Sequence, residues 1–147
     1  MTEYTELVRA VRDLVLAVDR YRARAGRERG LNPSAVTTLA HLRLEGARTP
    51  TELARQLDIT TASATDLLDR LQRDGLVERR PHPTDRRKLL VDLTGDGAVA
   101  IDGILRGFAD GLDAWGGGHR SQQEHDAVLG FVRVARGALH PEQDRAS

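Results

Sequence analysis

Two neighbouring clusters of side chains in this sequence are suited to gripping a polyanion. The first is Thr60, Thr61, Ala62, Ser63, Thr65 and Asp66, a run dominated by small and hydroxylated residues. Hydroxyls bond phosphates or either type of base edge, and a residue such as Ala62 can touch a thymine methyl. The second cluster is basic. Residues 70–90 carry Arg70, Arg73, Arg79, Arg80, Arg86, Arg87 and Lys88 against three acids, Asp74, Glu78 and Asp85, a local charge of +4. The whole chain of 147 residues is neutral, and residues 94–147 are net −3 with five bases against eight acids. A neutral protein with one compact basic block still presents a local field to a polyanion. Plainer readings stand beside this one: Thr60 and Thr61 as helix caps, and the basic block as a solvated hairpin. Arginine richness alone says little, because Arg outnumbers Lys by 21 to 1 throughout.

The elements that must position these clusters are legible from period and punctuation. Leu7, Val11, Leu14, Val18 and Tyr21 form the stripe of an amphipathic helix from about residue 5 to 25. Asn32 before Pro33 caps a second helix, with Val36, Leu39 and Leu42 inward until Gly46. Thr49-Pro50-Thr51-Glu52 is a capping box that opens a third, with Leu53, Ala54 and Leu57 inward. Asp58-Ile59-Thr60 breaks the pattern. Thr60 then caps a fourth helix that buries Ala64, Leu67, Leu68 and Leu71 and stops at Gly75. Two short helices and a tight turn make a helix-turn-helix.

Past Gly75 the period changes to that of strands, at residues 76–80 and 88–93, with the turn formers and charges of 81–87 between them. A helix-turn-helix followed by such a hairpin is a winged helix. The helical period returns from Thr94, with Ile101, Leu105, Phe108, Leu112 and Trp115 on one face until Gly116-Gly117-Gly118. Ser121 and Glu124 cap a last helix, with Val128, Phe131, Val132, Ala135 and Leu139 as its apolar face, and residues after His140 are expected to fray.

The fold class expected is therefore mainly α: a winged helix-turn-helix at 33–93 within one domain of residues 1–147. The N- and C-terminal helices, 5–25 and 94–139, would form a dimerisation region, since their stripes exceed what a lobe of about sixty residues can cover. An intrachain three-helix bundle is the alternative. Gly103, Gly107 and Gly111 recur every fourth residue on the long helix although interior Gly is unfavourable. They mark either a close approach of backbone or ligand, or a weak helix tolerated by its packing.

With no cysteine, disulfide scaffolds, Cys-ligated zinc and thiol redox chemistry are excluded, and a reducing compartment fits. No apolar run approaches the roughly 18 residues of a membrane span, and the first residues lack signal-peptide character, so the expected location is the cytoplasm. The histidines at 41, 82, 119, 125 and 140 show no metal-ligand spacing, and neither a metal nor a cofactor is expected.

The first residues of a recognition helix sit nearest the base edges of a major groove, which places Thr60, Thr61, Ala62, Ser63, Thr65 and Asp66 there. Asp66 is out of character, because phosphates repel a carboxylate unless it accepts from a cytosine amino group or pairs with a cation. Surface pairs Asp66–Arg70 and Asp69–Arg73 are expected from their spacing. At the hairpin tip, Arg86 and Arg87 suit a narrow, electronegative minor groove. Asp85 can orient a neighbouring guanidinium, and Arg79 and Arg80 would meet backbone phosphates.

Asp85-Arg86-Arg87 followed by Val91-Asp92-Leu93-Thr94 resembles the wing signature of the multiple-antibiotic-resistance regulator (MarR) family. Leu67-Leu68-Asp69-Arg70-Leu71, ahead of Gly75-Leu76-Val77-Glu78-Arg79, is similar to the end of that family's recognition helix, and the likeness runs over about residues 5–139. The resemblance implies a homodimeric winged-helix transcription factor, usually a repressor, bound to a pseudopalindromic operator in double-stranded DNA. It assigns Asp85 and Arg87 to paired wing positions with Arg86 beside them, and Thr61, Ser63, Thr65 and Asp66 to recognition positions. Many members carry a basic residue in place of Asp66. The resemblance also implies release by a small aromatic or phenolic anion in a crevice between the dimer helices and the winged lobe. Arg20, Tyr21, His41 and Arg43 are the polar residues expected near that crevice, with helix-surface and core-edge roles as the plainer reading of each. Two other classes compete: a winged helix that binds a protein partner, and an enzyme. For an enzyme, the chain offers no nucleophile–base pair, phosphate loop or well-placed carboxylate pair.

Overall fold

The computed structural model describes residues 2–85, 87–116 and 121–139. Its elements in chain order are α1 (Thr2–Arg27), α2 (Pro33–Glu45), α3 (Pro50–Gln56), α4 (Thr61–Arg73), β1 (Val77–Pro81), β2 (Leu89–Leu93), α5 (Gly95–Gly116) and α6 (Gln122–Leu139). The chain divides into two compact units after Gly107. The first holds the helix-turn-helix, the hairpin, α1 and the start of α5; the second holds the rest of α5 and α6.

In the first unit, every helix boundary that the sequence marks with a cap is closed by that cap. The Asn32 side chain accepts from the Ala35 amide at 2.8 Å at the start of α2. Thr49 and Glu52 exchange the reciprocal bonds of a capping box at the start of α3. Thr60 accepts from the Ser63 amide at 3.1 Å and opens α4. Between α3 and α4, Asp58 adopts φ +52°. That is the left-handed region, which Asp tolerates better than bulkier residues, and it gives the turn its sharpness. Gly75 at φ +73° directs the chain from α4 into the hairpin.

The core lies where α2, α3, α4, the hairpin and α5 converge. Val36, Leu39, Leu53, Leu68, Leu71, Val91 and Ile101 are all essentially without exposed surface. These are the inward positions of the helical periods, together with the single strand residue that faces the helices on β2. Thr38 is the one polar side chain in this buried set among the described residues, and its hydroxyl donates to the Ser34 carbonyl at 2.8 Å. β1 and β2 pair antiparallel, Val77 opposite Leu93 and Pro81 opposite Leu89. Arg48 joins the free side of β2 through two backbone bonds to Val91, 3.1 and 2.8 Å. The hairpin root is thereby tied to the segment preceding α3, and the Thr94 hydroxyl ties it again to the Gly75 carbonyl at 2.6 Å.

Several boundaries differ from the sequence reading. α1 extends beyond 5–25 in both directions, and both strands begin one residue later than expected. Pro81 closes β1 because its missing N–H is harmless at the end of a two-stranded ladder. In the second unit, Ser121 and Glu124 form the expected capping box, with the Ser121 amide donating to Glu124 at 2.8 Å. Gly117, Gly118 and the segment after His140 lie outside the described residues, as do the side chains of Trp115 and Leu139.

The glycine row on α5 divides. A Cβ on Gly107 would collide with the Tyr21 hydroxyl, and one on Gly103 would sit 3.0 Å from the Arg29 guanidinium. Among the described residues, nothing lies within 4 Å of the corresponding point on Gly111. The close approach at Gly103 and Gly107 is made by side chains of the chain itself.

Candidate nucleic-acid interface

The exposed face at the start of α4 displays Thr61, Ala62, Ser63, Thr65 and Asp66. Their hydroxyls are not equivalent. The Thr60 hydroxyl donates to Ser63 Oγ at 2.9 Å, so Ser63 accepts a hydrogen bond there and keeps its own hydroxyl hydrogen for an outside acceptor. Thr65 donates back to the Thr61 carbonyl at 2.9 Å and offers outward only lone pairs and its methyl. Capping thus accounts for Thr60 and leaves the other members of the cluster facing solvent.

The acids of α4 do not pair as their spacing suggests. Asp69 pairs with Arg79 at 2.6 Å and not with Arg73, and Asp66 makes no ion pair with Arg70. The reason is tertiary: β1 passes α4 closely enough for the Arg79 guanidinium to bridge Asp69 and Gln72, each at 2.6 Å. A fork held by two acceptors outcompetes a flexible pair along one helix surface. Arg79 therefore clamps the hairpin to α4. Arg80 is also engaged, donating to Asp92 across the hairpin from Nε at 3.2 Å and Nη2 at 2.8 Å. The sequence places Arg79 and Arg80 at phosphates, yet both guanidinium groups already serve carboxylates. Arg70 and Arg73 close the C-terminal turn of α4, where positive charge offsets the helix dipole.

The hairpin tip is organised by a residue that the sequence reading does not single out. His82 Nδ1 accepts from the backbone amides of Thr84 and Asp85, at 3.3 and 3.2 Å, and so shapes the turn. Its position between two prolines is the only hint in the sequence. Asp85 accepts from the Arg87 backbone amide at 3.1 Å and lies 3.9 Å from the Lys88 ammonium. The acid thus holds Arg87 by its backbone, and the Arg87 guanidinium is exposed. Arg86 lies outside the described residues. Between the hairpin tip and the start of α3 runs a groove of about 630 Å³ edged by Thr49, Thr51, Arg55, His82, Arg87 and Lys88. Arg55 and Thr51 escape the sequence reading because they lie on α3, ahead of the basic block.

The four residues expected at an effector crevice are mostly occupied with holding helices together. The Tyr21 hydroxyl donates to the Ile104 carbonyl at 2.7 Å. Arg43 grips Asp102 with two bonds, 2.7 and 3.3 Å, and that hydrogen bond holds the Asp102 carboxyl below the usual carboxylate range. His41 lies 3.2 Å from Glu45, and Arg20 is exposed on α1. None of the four edges the groove beside the hairpin. Among the described residues there is no cluster of three or more potential metal ligands, and no helix is long and apolar enough to cross a membrane.

A helix-turn-helix whose second helix exposes hydroxyls, clamped to a basic antiparallel hairpin, defines a winged helix-turn-helix protein. Residues 29–88 match the MarR family model. Over those residues the chain is similar to that family. Among curated proteins, it is similar to the HTH-type transcriptional repressor YetL of Bacillus subtilis, 43% identical over 65 residues, covering 44% of this chain and 39% of YetL. The chain thus matches well under half the length of that relative. Among solved structures, a MarR family protein from Bacillus stearothermophilus superposes with a TM-score of 0.71 at 24% identity, covering 97% of this chain and 96% of that one. The MarR family transcriptional regulator Sco3205 of Streptomyces coelicolor, solved in complex with DNA, gives 0.67 at 20% identity, covering 97% and 91%. Both likenesses are of fold.

Proposed function

We propose that the chain is a non-catalytic transcriptional regulator that binds a pseudopalindromic operator in double-stranded DNA as a homodimer and acts as a repressor. In this reading α4 enters the major groove with Thr61, Ala62, Ser63, Thr65 and Asp66 toward the bases. The hairpin tip reaches the adjacent minor groove with Arg86 and Arg87. The observation that carries it is the clamp of Arg79 on Asp69 and Gln72, which sets the basic hairpin at a fixed position beside the exposed hydroxyl face of α4. Two reading elements held rigidly together match successive grooves only if their spacing is maintained, and a clamp from strand to helix maintains it. The fold neighbour solved with DNA and the repressor relative agree with this assignment. A small aromatic or phenolic anion is the effector class for the residues Arg20, Tyr21, His41 and Arg43. Two of these hold α5, so a ligand that took Arg43 from Asp102 would loosen α5 from α2.

The test is binding to the DNA upstream of the protein's own gene, titrated over a range of salt concentrations. The wild type binds, with protection of two half-sites about one helical turn apart. Arg86→Ala together with Arg87→Ala weakens binding and lowers the salt slope by about 1 for each phosphate that an arginine no longer neutralises. No binding at low ionic strength, or an unchanged slope and affinity in the double variant, would overturn the assignment.

A further inference from the structure

We propose that Asp66 is a specificity-determining residue, accepting a hydrogen bond from a cytosine amino group so that each operator half-site carries cytosine at one defined position. The inference rests on the DNA reading above and deepens it. Asp66 is exposed on the face of α4 that also presents Thr61, Ala62 and Thr65. Among the described residues its carboxylate has no hydrogen bond and no ion pair, although Arg70 stands one turn away. The next acid along the helix, Asp69, is by contrast taken by Arg79. One carboxylate of α4 is thus neutralised by the fold, and the other is left bare on the surface that would approach a polyanion.

A bare carboxylate at that place opposes binding unless a donor meets it. The major groove offers two, the cytosine N4 and adenine N6 amino groups. On adenine the amino group lies beside N7, an acceptor that repels a carboxylate, whereas guanine presents acceptors alone. Cytosine is therefore the base that Asp66 accepts, and the others are rejected by like polarity. Discrimination by rejection reduces residence on wrong sequences more than it raises affinity for the right one. Thr61, Ala62 and Thr65 are short enough to let the carboxylate reach the base edge.

Selection from random duplexes with the full chain tests this, followed by titration of the selected site and its variants at a single salt concentration. The wild type is expected to select cytosine at one position of each half-site and to lose about tenfold in affinity when that base is changed. Asp66→Ala loses the preference and binds unrelated duplex more tightly. Asp66→Asn moves the preference to adenine, because an amide matches adenine N6 and N7 together. Uniformly tighter binding by Asp66→Ala with unchanged base preference would overturn the inference and leave Asp66 as a repulsive charge only. Preferences untouched by either substitution overturn it equally, while the DNA reading survives. A wild type that retains no duplex at all brings down the DNA reading itself. Asp66 is exposed, so circular dichroism is expected to show all three proteins folded alike.

Discussion

The carboxylate of Glu52 accepts the Thr49 amide at 2.7 Å and the Thr49 hydroxyl at 2.8 Å. The bond from the backbone amide, then that from the hydroxyl, hold its pKa below the ordinary glutamate value, with Arg48 and Arg55 pulling the same way against desolvation. A carboxyl whose pKa is depressed in the folded state contributes stability above its unfolded pKa and loses it as pH falls through the folded one. The capping box therefore helps at neutral pH and fades below about pH 4. Thr49→Ala is expected to lower stability by about 1 kcal/mol at pH 7. Urea unfolding is expected to show that difference shrink on acidification, and a difference constant with pH would assign the effect to something other than Glu52. This box is legible in four consecutive residues because capping is local chemistry. The partner of Asp69 is not. Spacing along one helix offers Arg73, while the actual partner, Arg79, arrives from β1, and only the packing of strand on helix brings it there. Asp85 repeats the lesson, since its bond to Arg87 runs through a backbone amide that no side-chain pattern reveals.

At the scale of the element, helix starts and inward faces are readable because caps and the 3.6-residue period act within a few residues. Asn32, Thr49, Thr60 and Ser121 each cap where expected. The strand ends are not readable to the residue, since the pairing of the two strands, closed at Pro81 opposite Leu89, decides where the ladder stops. The glycines of α5 show the same division between local and tertiary causes. All three carry the same intrinsic penalty in a helix interior, so their spacing alone suggests one shared role. Gly107 lies under the Tyr21 hydroxyl, which is itself bonded to the Ile104 carbonyl. No atom of the described residues crowds Gly111. Gly111→Ala is accordingly expected to stabilise the protein by roughly 0.5–1 kcal/mol. Gly107→Ala is expected to destabilise it, because the added methyl displaces Tyr21 from its bond to Ile104. In a Tyr21→Phe background, which removes the colliding hydroxyl, Gly107→Ala recovers most of that stability. Thermal unfolding of these variants beside the wild type checks this, and equal effects of alanine at 107 and 111 would refute the division.

The whole molecule poses a different problem, because amphipathic stripes predict only that apolar faces will be covered, not what covers them. Within the first unit, Leu7, Val8, Leu14 and Val15 of α1 remain exposed, with about half of each surface open. Within the second, Leu112 of α5 and Val128, Phe131 and Val132 of α6 are likewise exposed. Scattered apolar residues on a surface need no explanation, but these recur at helical spacing on long helices and make continuous stripes. A second copy of the chain would remove them from water, and an isologous dimer would carry two α4 helices for two half-sites. A dimer of this kind needs roughly 1,200–2,000 Å² of buried surface. The expected mass in solution is therefore twice that of the 16.2 kDa chain. Leu14→Glu together with Phe131→Glu places unpaired charge in both stripes, and the expected product is a folded monomer. Its winged lobe keeps the core built on Leu39, Leu53 and Leu68, so weak binding to a single half-site survives while high-affinity binding to the paired site disappears. Analytical ultracentrifugation at micromolar concentration reads the mass, and a wild type that sediments as a monomer would remove both the dimer and the paired operator that depends on it.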